Sequence, residues 1–96
     1  MRGMAEFLLE LYVPRTDDAA AKRGATNARR AAQQLTREGT PVRYLRSIFV
    51  PEDEICFHLY EAETAEVVRE AARRAQLSFE RVTAAFGAAQ RRRARR

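Results

Sequence analysis

The chain has 96 residues, enough for one domain around one hydrophobic core and too few for a multidomain architecture. With 46% apolar and 32% charged residues it is too polar for a membrane-embedded protein and too apolar for wholesale disorder. The formal net charge of +5 invites a polyanion-binding reading, but five arginines, Arg91, Arg92, Arg93, Arg95 and Arg96, fall in the last six positions; without them 13 basic residues balance 13 acidic ones.

Along residues 5–13, Phe7, Leu9, Leu11 and Val13 alternate with Glu6, Leu8, Glu10 and Tyr12, the period of a strand with one buried and one mixed face. Pro14 ends it, and Thr16, Asp17 and Asp18 supply N-cap chemistry for a helix starting near residue 17 or 18. Ala21, Ala25, Ala28, Ala32 and Leu35 lie on one stripe of that helix. Four of the five are alanine, so the helix axis can lie close to whatever it covers. Gly24 weakens the helix locally, and Gly39 is a natural stop.

The aromatic and β-branched run over residues 41–50 predicts a second strand, followed by a turn at Pro51-Glu-Asp-Glu54. Residues 55–60 alternate Ile55, Phe57 and Leu59 with Cys56, His58 and Tyr60, a third strand with an apolar and a mixed face. Thr64 caps a second helix whose buried stripe is Ala65, Val68, Ala72 and Ala75, and a short fourth strand is expected around residues 81–86. The expected organisation is a ferredoxin-like domain over residues 1–86 and a basic tail over 87–96. The order βαββαβ predicts an α+β fold, a four-stranded antiparallel sheet with two helices on one face. The other sheet face, expected to carry Leu8, Tyr12, Cys56 and Tyr60, is too apolar to stay exposed, which predicts a homodimer.

One cysteine cannot form an internal disulfide, and no apolar run approaches the roughly 18 residues of a transmembrane segment. No signal-peptide pattern opens the chain, so a cytoplasmic location is expected. Seventeen of the 18 basic residues are Arg, alongside abundant Ala, a coding bias that makes arginine content alone poor evidence for phosphate binding.

The opening strand Phe7-Leu-Leu-Glu-Leu-Tyr-Val13, the pair Val42-Arg-Tyr-Leu-Arg-Ser-Ile-Phe-Val50 and Ile55-Cys-Phe-His-Leu-Tyr-Glu-Ala62, and the stretch Ala65 to Val82 together carry a family resemblance. Over residues 5–86 or so the chain resembles a family of small bacterial ferredoxin-like proteins, typified by an actinobacterial nickel-binding protein and similar to dimeric α+β barrels. The resemblance implies this fold, a dimer, and nickel or another divalent metal as a candidate ligand. Where family members often carry a His in the second helix, this chain has Ala71.

Cys56 and His58 are the two side chains with soft-ligand or nucleophile character. On a strand they share a side about 6.6 Å apart by the rise per residue, which argues against a direct thiol–imidazole bond; as metal ligands they need two further donors, such as Glu10 or a second subunit's residues. Glu10, Tyr12, Tyr44, Arg46, His58 and Tyr60 converge on the open sheet face if Tyr44 and Arg46 share that side, giving a small-ligand site with aromatic walls. In that arrangement Glu10 raises the His58 pKa and Arg46 lowers it. The alternative use of the same residues is a dimer interface in which Glu10 and Arg46 pair. Three functions stay open: a homodimeric protein holding a small ligand or metal between its sheets, a small cofactor-free enzyme with His58 as acid or base, and binding of nucleic acid or an anionic surface by the arginine tail. For the tail, five phosphate contacts correspond to a salt slope of about −4.5 on duplex DNA; a solvated extension is the plainer reading.

Overall fold

The computed structural model describes residues 3–86, so the basic tail and its five arginines lie outside the described residues. The chain runs β1 (Ala5–Tyr12), α1 (Asp18–Arg37), β2 (Val42–Val50), β3 (Ile55–Ala62), α2 (Ala65–Arg74) and β4 (Phe79–Ala85), with a short 3-10 turn at Pro51–Asp53. This is the predicted order. The four strands form one antiparallel sheet in the order β2-β3-β1-β4, which leaves β2 and β4 as edges.

Local chemistry sets the helix ends. The Asp17 carboxylate accepts from the Ala20 N–H at 3.0 Å, and the Thr64 hydroxyl accepts from the Val67 N–H at 3.3 Å, each satisfying a donor that the first helical turn leaves unpaired. Past α1, Gly39 sits at φ +109°, a conformation open to glycine, and the Thr40 N–H turns back to the Leu35 carbonyl at 3.1 Å.

Both helices cover one sheet face with mostly small residues: Ala28, Ala31, Ala32 and the larger Leu35 from α1, Ala71, Ala72 and Val68 from α2. The sheet answers with large ones. Tyr60, Leu9 and His58 are the largest fully buried side chains. Here the structure corrects the facing expected for β3. Phe7 pairs with Tyr60, Leu9 with His58 and Leu11 with Cys56, so Cys56, His58 and Tyr60 lie under the helices while Ile55, Phe57 and Leu59 face the open side. The physical reason is register: β1 turns Phe7, Leu9 and Leu11 toward the helices, and the residues paired with them on β3, Tyr60, His58 and Cys56, share that side.

Candidate functional site

The residues with chemistry divide between the two faces of the sheet. A β-bulge decides the division. Tyr44 pairs with Tyr60, but Arg46 pairs with Leu59, so Leu45 is an extra residue and the inside–outside alternation of β2 inverts across it. Tyr44 therefore faces the helices and Arg46 faces away. Of the six expected ligand contacts, the structure brings His58, Tyr60 and Tyr44 together beneath α1, and places Glu10, Tyr12 and Arg46 on the open face.

Beneath α1, the Tyr44 hydroxyl lies 2.8 Å from His58 Nδ1, and His58 Nε2 lies 3.9 Å from Cys56 Sγ. The tautomer protonated on Nε2 satisfies both contacts, with the Tyr44 O–H donating to Nδ1 and Nε2–H facing sulfur. The spacing argument against thiol–imidazole contact is thus corrected: the backbone rise separates the Cα atoms, but two long side chains lean together over it. The contact is at the long end for sulfur. Burial pushes the His58 pKa down to about 4, so the imidazole is neutral at pH 7, and burial raises the Cys56 thiol and the Tyr44 phenol. Neither Glu10 nor Arg46 contributes to the His58 shift. Desolvation alone sets it.

Tyr60 adds an unusual feature. Its ring meets Tyr44 edge-on at 5.4 Å between centroids, yet its buried hydroxyl has no hydrogen-bond partner among the described residues. Its phenol pKa is raised, by burial first and by Tyr44 second.

On the open face, Leu8 pairs with Leu59 and Ile48 with Phe57, next to Tyr12, which is 57% exposed. Glu10 pairs with Arg81 at 3.1 Å rather than with Arg46, because the register sets Glu10 against β4 whereas Arg46 stands on the far edge strand. Arg43 bonds Glu61 across the strands at 2.8 Å. Arg46 has no ion pair among the described residues. Sequence periodicity could not see the bulge at Leu45, and no signal in the sequence marks it.

Fold and site thus define a ferredoxin-like α+β protein with an uncovered apolar sheet face and a buried tyrosine–histidine–cysteine line. The chain belongs to the family described as nickel responsive protein SCO4226-like, whose model matches residues 10–84. Searches of curated proteins and of solved structures find no match.

The family's description names nickel, and the donors of this chain bear on it. Among the described residues no group of three or more His, Cys, Asp or Glu is placed to hold a metal ion. Cys56 and His58 are two donors shut under α1, where Gly24 and Leu77 are neighbours, and Ala71 is a fully buried alanine of α2. One chain's described residues do not fit a nickel site. No helix among the described residues is long and apolar enough to cross a membrane.

Proposed function

We propose that the chain acts as a small homodimeric binding protein whose two copies join through the open sheet faces and hold a small ligand between them. One observation supports this reading above others: Leu8, Tyr12, Ile48, Phe57 and Leu59 stand together around Glu10 on a sheet face that no element of the described chain covers. Paired face to face about a two-fold axis, such a surface buries itself, and the sheets of two copies stack about 10 Å apart. Glu10, Tyr12 and Arg46 then border the inter-sheet space and supply its polar groups. His58, Tyr44 and Tyr60 belong instead to the layer beneath the helices and support the sheet from behind. The reading needs no metal.

Native mass spectrometry of protein purified without chelator or affinity metal tests stoichiometry and bound mass together. The expected species has twice the 11.0 kDa chain mass. Ile48→Glu, on a side chain already 42% exposed, should leave the fold intact and shift the species to monomer. A wild-type monomer at micromolar concentration, or a dimer indifferent to Ile48→Glu, overturns the proposal.

A further inference from the structure

A groove of about 620 Å³ runs between α1 and the edge strand β2, on the helix side and away from the face proposed for pairing. Arg29, Gln33 and Arg37 line it from the helix, and Val42, Arg43 and Tyr44 from the strand. The helical set has a spacing of four, which keeps it on one face and spreads the two arginines over about 12 Å of axis. Among the described residues no carboxylate lines the groove. Arg43 is occupied by Glu61 at 2.8 Å, but Arg29 and Arg37 have no ion pair among the described residues. Glu38, the neighbour of Arg37 in sequence, is bonded by Arg74 at 2.8 Å, and Arg37 acts on it only as a weaker charge.

Arg29 is positioned without an acid. Its guanidinium lies 5.2 Å from the centre of the Tyr44 ring, and that ring is fixed from below by the hydroxyl contact to His58. The donors of a guanidinium stacked on a ring stay free at its edge for an incoming anion. An extended peptide is a poor fit. Strand addition requires free backbone groups along the β2 edge, yet the Thr36 hydroxyl donates to the Val42 carbonyl at 2.8 Å and accepts from the Val42 N–H at 3.0 Å. The helix side chain takes the place of a neighbouring strand there.

We propose that the α1–β2 groove binds a small organic anion carrying at least two phosphate or carboxylate groups, gripped by Arg29 and Arg37, with its body against Tyr44. Two guanidinium groups with no ion pair among the described residues, two helical turns apart over an aromatic floor, favour a multiply charged ligand over a single small ion. The site is independent of the inter-sheet space, so the two proposals can fail separately.

The test is a titration of the full-length ¹⁵N-labelled protein with pyrophosphate and, separately, with citrate, against chloride at matched ionic strength. Saturable shifts at the amides of residues 36–40 and 42–44 are expected with at least one of the two, and the stronger binder tells phosphate from carboxylate. Arg29→Ala and Arg37→Ala, both at exposed positions, should each weaken binding about tenfold. Arg30→Ala, on the side of α1 that faces α2, should leave it unchanged. Retained amide dispersion verifies that each variant is folded. Shifts no larger than those from chloride, or an equal loss from Arg30→Ala, overturn the proposal.

Discussion

The Tyr44 hydroxyl meets His58 Nδ1 at 2.8 Å across neighbouring strands, although the residue directly opposite His58 in the ladder is Ser47. The bulge at Leu45 makes this possible by turning Tyr44 toward the helices, where its ring spans the distance to the imidazole. The pair joins the groove under Arg29 to the buried core. Tyr44→Phe removes the donor and leaves Nδ1 buried without a partner, which should cost about 1–3 kcal/mol in urea denaturation at neutral pH. A loss within a few tenths of wild type would show that the contact adds no stability.

The other tyrosine should behave in the opposite sense. The Tyr60 hydroxyl is buried with no partner among the described residues, so the folded state carries its desolvation without compensation. Tyr60→Phe removes that penalty and keeps the ring's packing against Tyr44. Stability should be unchanged or rise by about 1 kcal/mol. The two Tyr→Phe variants, measured side by side, should separate, because one hydroxyl has a partner and the other has none among the described residues.

Acid should weaken the fold through His58. Its folded pKa is about 4 against the ordinary 6.5, because burial disfavours the charged ring. Between these values the unfolded chain binds more protons than the folded one, so stability falls as pH drops from 6.5 toward 4 and levels off below. Above 6.5 the ring contributes no pH dependence. The full loss is roughly 3 kcal/mol. Urea midpoints on both sides of the window should show it, and His58→Gln should flatten the slope there.

Gly24 offers a stabilising change. A methyl group at this position would stand 3.6 Å from Leu77 Cδ2 and 3.7 Å from His58 Nε2, ordinary van der Waals contacts. Gly24→Ala should therefore add about 0.5–1 kcal/mol by lowering the entropy of the unfolded helix segment, seen as a raised melting temperature. Gly24→Val, which adds two methyl groups beyond a Cβ already in contact with Leu77 and His58, should lose that gain.

Thr36 ties α1 to the start of β2 through both of its hydroxyl bonds to Val42. Thr36→Val preserves shape and removes both, with an expected loss of about 1 kcal/mol in thermal unfolding, whereas Thr36→Ser should stay near wild type.

Much of this was legible in residue order. The alternation of Phe7, Leu9, Leu11 and Val13, the cap at Thr64 and the stop at Gly39 depend on neighbours a few residues away, and each appears in the structure where the pattern put it. The buried stripe of α1 holds at Ala21, Ala28, Ala32 and Leu35, joined by Ala31, while Ala25 is only half-buried. The candidate site was less legible. Its six residues were chosen for their chemistry and assigned a common face by a period of two, an assumption that one bulge breaks for Tyr44 and Arg46. The spacing of Arg29, Gln33 and Arg37 was present in the sequence as well, but only the strand packed beside them makes it a groove.

The sequence by itself determined the element order, the helix ends and the charge division between body and tail, because these follow from local propensity, capping and composition. Which face of β3 lies inside was decided only by tertiary structure. Ile55, Phe57 and Leu59 are more apolar than Cys56, His58 and Tyr60, and hydrophobicity alone would bury them. Strand pairing decides otherwise: the ladder sets Cys56, His58 and Tyr60 beside Leu11, Leu9 and Phe7, whose face the helices cover, and so turns the more apolar side of β3 outward. Packing is a property of two surfaces at once, and one strand's sequence describes only one of them.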